Sequence, residues 1–101
     1  MNGEIGKLSD EELILMLKAG SNPAFTELYD RYWKKLFTAA ANKVYNLEEA
    51  EDIVQQIFIS IWNRREELEI HTSLSSYLSV AVKYRVLKYL NASFKYQHIS
   101  D

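Results

Sequence analysis

Residues Ala50 to Trp62, AEDIVQQIFISIW, leave this chain little choice of local structure. Ala50, Ile53, Val54, Ile57, Phe58 and Ile61 recur at i, i+3, i+4, i+7, i+8 and i+11, which is the spacing of an apolar stripe on an α-helix packed against a core. The same spacing gathers Asp52, Gln55, Gln56 and Ile59 on the opposite side. A carboxylate acceptor, two amides and an apolar anchor in one outward strip suit the docking of another helix. The alternative is a solvated face carrying one isolated isoleucine, as protein surfaces commonly do.

At 101 residues the chain has room for one small domain with one core, burying roughly two thirds of the surface its unfolded form exposes. Apolar residues make up 48% and aromatics 13%, while Gly (3) and Pro (1) are scarce. That balance argues against disorder and against a turn-rich β fold. The expected fold is all-α, a compact bundle of about four helices. There is no cysteine, which rules out a disulfide framework and a thiolate metal site and suits a reducing compartment. The opening MNGEIGKLSDEE lacks the basic-then-apolar order of a signal peptide, and no apolar run approaches the ~20 residues of a membrane span. The expected location is the cytoplasm.

The net charge is −2, but its distribution is uneven. Residues 1–69 hold 8 basic and 13 acidic side chains, whereas residues 70–101 hold 4 basic and 1 acidic. Only the last third favours phosphate unaided. Weak binding to DNA alone, and a need for a helper, follow from that asymmetry.

Four helical segments are legible. Ser9 and Glu12 form a capping box with Leu8 placed as a staple, and Leu13, Met16 and Leu17 make a stripe that stops at Gly20. A second helix takes Asn22 as its N-cap and Pro23 at its first position. Phe25, Leu28, Tyr29, Tyr32, Leu36 and Ala40 then line one face to about Val44, and the tyrosines and Trp33 read as core aromatics with polar tips at the rim. Asn46 and Glu49 repeat the capping logic for the third helix, which is expected to reach about Arg65. A polar link follows from Glu66 to Ser73, and the fourth helix, capped by Ser73 or a neighbour, continues to about Leu90. Residues 1–8 read as a tail, 9–90 as the helical domain, and 91–101 as a tail or the start of a linker.

Catalysis has little to stand on. No Gly-rich phosphate loop or nucleophile elbow is present, His71 and His98 have no partner at a ligand spacing, and no Glu-x-x-His pair exists for a di-metal bundle. No enzyme, metal or cofactor is expected. Nucleic-acid chemistry would fall on the fourth helix, whose apolar stripe runs through Leu74, Tyr77, Leu78, Ala81, Val82 and Tyr89, with Lys83 opposite that stripe, Arg85 near its centre and Lys88 at its edge. A buried guanidinium is costly. Either Arg85 snorkels to water, or the last turns project beyond the bundle and free Lys83, Tyr84, Arg85, Lys88 and Tyr89 for phosphates and unstacked bases. The competing reading is a charged helix end complementing its own dipole.

Three stretches together resemble bacterial RNA polymerase sigma factors of the extracytoplasmic-function (ECF) type. AEDIVQ, followed by an apolar pair and a tryptophan, resembles their core-binding helix. Asp10 to Leu36, with its glycine, Ala-Phe pair, Leu-Tyr and Arg-Tyr, resembles their opening, and Ser75 to Leu90, opened by Tyr-Leu, resembles their promoter-recognition helix. The resemblance implies a region 2 domain that docks on the clamp helices of the polymerase β′ subunit and helps melt the minus-ten promoter element. Asp52, Gln55, Gln56 and Ile59 are then the polymerase contacts. Leu68, Glu69, Ile70, His71, Thr72 and Ser73 belong to the loop that takes a flipped base of the non-template strand, and Lys83, Tyr84, Arg85 and Lys88 touch that strand. An anti-sigma factor is a further implied partner. Such factors continue into a second helical domain that reads the minus-thirty-five element, so the chain is expected to be a fragment of a longer one. The alternative function is a helical protein-interaction module without DNA binding.

Overall fold

The structure, a computed structural model, describes the backbone of residues 2–100 and the side chains of residues 4–94. Its elements are a single turn α1 (Asn2–Ile5), then α2 (Asp10–Lys18), α3 (Asn22–Val44), α4 (Leu47–Asn63), a 3-10 turn (Arg65–Glu67) and α5 (Leu74–Ser100). The described residues contain no strand, and the all-α architecture is the one the composition demands.

Each boundary has a local cause. Ser9 Oγ accepts from the Glu12 amide at 3.1 Å while the Ser9 amide donates to Glu12 Oε1 at 3.0 Å, closing the capping box of α2. The Ser9 backbone amide first, and the Ser9 hydroxyl second, hold the Glu12 carboxyl below its ordinary pKa. The chain reverses after α2 at Gly20, whose φ of 94° is open to glycine and strained for other residues. The cap of α3 is Ser21 rather than Asn22: its Oγ accepts from the Ala24 amide at 3.2 Å, and Asn22 is already helical. Pro23 fits one position further in because the N–H it lacks still has no partner in the first turn. Asn46 caps α4 through the Glu49 amide at 3.0 Å, and Ser73 caps α5 through the Ser76 amide at 3.1 Å.

Helix α3 is the spine, packing against α2, α4 and α5. Ala24, Leu28, Leu36, Ala40 and Val44 supply its buried face. They meet Leu13 and Leu17 of α2, the α4 stripe, and Leu74, Leu78, Val82 and Val86 of α5 in one core. Phe25 and Tyr29 join the start of α3 to Phe58 and Trp62 of α4, with the Phe25–Trp62 ring centroids 5.3 Å apart and Tyr29–Phe58 4.8 Å apart. Trp33 departs from the core reading. It is exposed and lies 6.2 Å from the ring of Phe37.

One ionic cluster ties the amino-terminal end down. Arg31 pairs with Asp10 at 3.0 Å and Glu27 at 2.7 Å, and its Nη2 donates to the carbonyls of Gly6 and Leu8. The bond to Glu27 leads the causes that raise the Arg31 pKa. The Tyr32 hydroxyl donates to Asp10 in the same cluster, and burial, followed by that bond, pushes the phenol up to about 12.

Two expected helix ends shift. Helix α4 closes at Asn63, short of Arg65, because the chain tightens into the 3-10 turn. Helix α5 does not stop near Leu90 but continues to Ser100. No glycine or proline between Leu74 and Ser100 interrupts it.

Candidate functional site

Helix α4 carries the first element of the site. Ala50, Ile53, Val54, Ile57, Phe58 and Ile61 are all buried, while Asp52, Gln55, Gln56 and Ile59 are all exposed. The contrast is sharpest between near neighbours: Ile57 is 2% exposed and Ile59 51%. Gln55 Nε2 reaches back to Glu51 Oε1 at 3.3 Å, a helix-surface pair that leaves its carbonyl outward. The strip therefore offers amide donors and acceptors around an apolar anchor, the composition a foreign helix can pack against.

The link after α4 builds the second element. The 3-10 turn is fixed by Arg65, whose guanidinium stacks 4.2 Å over the Trp62 ring and donates Nη1 to the Trp62 carbonyl at 2.9 Å. Leu68 then plugs into the core at 3% exposure, and Lys18 Nζ donates to its carbonyl at 3.0 Å. Those two anchors pin the base of the loop against α2. Between loop and helix lies a cleft of about 400 Å³, walled by Glu11, Ile14, Leu15 and Lys18 on one side and by Leu68 to Thr72, with Leu74, on the other. Ile70 is half-buried while Glu69, His71 and Thr72 are exposed. His71 Nε2 lies 3.6 Å from Glu69 Oε2. Ser73 stands apart from this cleft because its hydroxyl is committed to the α5 cap.

Helix α5 supplies the third element, and it divides the expected nucleic-acid contacts between two sides. Its buried line is Leu74, Leu78, Val82 and Val86, spaced by four, so Arg85 is not at the centre of the stripe. It is half-buried on the flank nearest α4, in a cleft of about 320 Å³ shared with Ser60, Arg64, Tyr77 and Tyr84. The turns from Lys83 to Tyr89 are not free on all sides, since Val86 is buried and Tyr89 packs on the core. Lys83 faces away from that cleft, into a groove with α3. Lys88 is exposed. His98 falls outside the residues whose side chains are described.

Sequence reasoning missed the wall contributed by Ile14, Leu15 and Lys18, and it missed Ser60, Arg64 and Tyr77. Exposed Leu15, an apolar residue on the outer side of α2, was the one available signal. Nothing in the spacing tied Lys18 to a carbonyl fifty positions further on. Among the described residues no group of His, Asp and Glu side chains is arranged to hold a metal ion, and no helix is long and apolar enough to cross a membrane.

The family described as Sigma-70 region 2 matches residues 28–93, which contain most of α3, all of α4, the loop and α5 up to Ser93. The chain belongs to the sigma-70 region 2 family. It is also 31% identical over 65 residues to the ECF RNA polymerase sigma factor SigW of Bacillus subtilis (strain 168), a match covering 64% of this chain and 35% of that relative. The matched stretch thus spans about a third of the length of that protein. No solved structure matches it. The similarity to SigW agrees with the ECF type, and the sigma-70 region 2 domain here is the bundle from α3 to α5, with α2 packed in front.

Proposed function

We propose that this domain acts in transcription initiation by holding the polymerase core with one helix face while a neighbouring cleft and helix engage the minus-ten element. Asp52, Gln55, Gln56 and Ile59 dock on the β′ clamp helices. The cleft between α2 and residues 68–72 receives a base flipped out of the non-template strand, which gives melting a driving force by offsetting a few kcal/mol of unstacking. Tyr84, Arg85 and Lys88 lie along the strand, the cations on phosphates and the phenol against an unstacked base. The observation that carries this reading is the two-sidedness of α4, a buried stripe backed by an exposed amide-rich strip that ends in Ile59. The role uses no metal, cofactor or bond-making step, and it goes with a cytoplasmic location and with control by an anti-sigma factor.

The test is a titration of the domain with a β′ clamp-helix fragment, followed by addition of single-stranded minus-ten oligonucleotide to the complex. Gln56→Ala combined with Ile59→Ala should weaken fragment binding and leave the circular dichroism spectrum unchanged. Loss of fold in that double variant, or unaltered binding, would refute the docking face. If the fragment binds and no strand sequence is preferred, the protein-interaction module is the correct reading and the base-capture proposal fails.

A further inference from the structure

A groove on the opposite side of the bundle has no part in that scheme. It runs between the second half of α3 and the middle of α5, encloses about 450 Å³, and no α4 residue lines it. Its floor is apolar: Leu36 from α3 and Val82 and Val86 from α5, all core residues. Leu87 and Leu90 form the outer lip and are 60% and 39% exposed. They follow Lys83 at i+4 and i+7, so cation and lip share one face of α5. Solvated leucines beside an apolar floor are a surface feature that calls for a partner.

The charge around the groove says which kind. Lys35, Lys43 and Lys83 ring it, and no Asp or Glu lines it, in a chain that is acidic overall. Lys35 Nζ donates to Ser75 Oγ at 2.9 Å. Among the described residues neither Lys43 nor Lys83 has a carboxylate within ion-pair distance. The lining from Ser79 to Leu90 spans about 17 Å of helix, some three turns. That is the length over which an amphipathic helix sets anchors at i, i+3 or i+4, and i+7. Nucleic acid would satisfy the lysines but leave the floor and the leucine lip without a partner.

We infer that the α3–α5 groove is a docking site for an acidic amphipathic helix of a partner protein, with apolar anchors on Leu36, Val82, Val86 and Leu87 and carboxylates on Lys43 and Lys83. Because α4 is absent from the lining, the bound helix leaves the outward strip of α4 free. The partner therefore joins a polymerase-bound domain rather than displacing it.

The probe is a fluorescent peptide of about 18 residues, ~27 Å of helix, with leucines at helical spacing and glutamates elsewhere, titrated into the full chain by anisotropy. Its counterpart with lysine for every glutamate is the control. The acidic peptide should bind and the basic one should not. Lys43→Glu with Lys83→Glu, and separately Leu87→Asp, should each raise Kd by about tenfold, equivalent to ~1.4 kcal/mol. Leu47→Asp, which removes an exposed leucine outside the groove, should change nothing. Circular dichroism of each variant excludes misfolding, and saturating peptide should leave the affinity for the β′ fragment intact. Equal binding of the two peptides, insensitivity to the Lys43 and Lys83 reversals, or competition with the β′ fragment would each overturn the inference. A concentration-dependent dimer abolished by Leu87→Asp would assign the groove to a second copy, and loss of DNA affinity on lysine reversal without any peptide binding would assign it to nucleic acid. Failure of the domain to bind the β′ fragment at all would refute only the proposed polymerase docking, since the peptide titrations and their lysine and leucine variants are read without that fragment.

Discussion

Replacing Ile57 and Ile59 in turn by alanine tests the faces of α4 with one chemical change at two positions two residues apart. Each substitution deletes Cγ1, Cγ2 and Cδ1. At Ile57, 2% exposed, those carbons are worth ~0.8 kcal/mol each on transfer, ~2.4 in all. The residual cavity adds ~1 kcal/mol and alanine's better helix propensity returns ~0.4, giving a net loss of ~3 kcal/mol within the usual 2–5 range. At Ile59, 51% exposed, about half the transfer value applies, no closed cavity forms, and the same propensity gain leaves under ~1 kcal/mol. For a domain of this size a ~3 kcal/mol loss lowers Tm by roughly 12–24 °C, while the Ile59 change shifts it by less than ~8 °C. Urea unfolding followed by circular dichroism gives both values, with the slope against denaturant checking that the unfolded state has not changed. Equal losses at the two positions, or a loss below ~1 kcal/mol at Ile57, would refute the facing of α4 and with it the docking strip.

Two further perturbations probe the framework that presents the site. Tyr32→Phe removes the hydroxyl that donates to Asp10, at a cost of about 1 kcal/mol near neutral pH. Because the folded phenol titrates at about 12 against an ordinary 10.0, its contribution is full below pH 10 and is lost as pH rises toward 12. The wild-type advantage over the variant should therefore shrink across that window in denaturation curves, and a gap that stays constant to pH 12 would contradict the assignment. Tyr45→Gly addresses the turn between α3 and α4, where Tyr45 sits at φ 54° and is 89% exposed. Relief of ~1–2 kcal/mol of left-handed strain exceeds glycine's ~0.5–1 kcal/mol entropic cost, so thermal melts should show a gain of about 0.5–1 kcal/mol. A loss there would mean that the Tyr45 ring contributes to stability.

The sequence was most legible where two signals coincide. On α4 a cap at Asn46, a glycine- and proline-free run and an unbroken 3.6 period all point one way, and the buried set is the predicted one, residue for residue. Ser9, Glu12 and Gly20 did the same for α2. Reading became harder where neighbours compete for one job, as Ser21 and Asn22 do for the α3 cap. In that contest the residue before the asparagine won because its hydroxyl lies in reach of the Ala24 amide. The α2–loop cleft was beyond local pattern altogether. Its walls come from segments some fifty positions apart, and the bond from Lys18 to Leu68 exists only after the bundle has closed.

Helix α5 shows how a drifting pattern hides a surface. Its buried residues recur every fourth position, Leu74, Leu78, Val82 and Val86, and four residues advance ~400° at 3.6 per turn. The stripe therefore rotates by ~40° with each step, about a third of a turn over its length. A straight-stripe reading averages that rotation away, and this is how Arg85 came to be placed mid-stripe when it lies on the α4 flank. The same rotation carries the second half of α5 around toward α3 and brings Lys83, Leu87 and Leu90 to the lip of a groove. If the lip built by this rotation holds the partner helix, removing the lip alone should abolish docking while the buried stripe stays intact. Leu87→Glu with Leu90→Lys replaces the lip by an ordinary solvated pair without touching Val82 or Val86, so the fold should persist at nearly unchanged Tm while acidic-peptide binding disappears. A large drop in Tm would show instead that Leu87 and Leu90 are core residues of this bundle and that the groove is no docking surface.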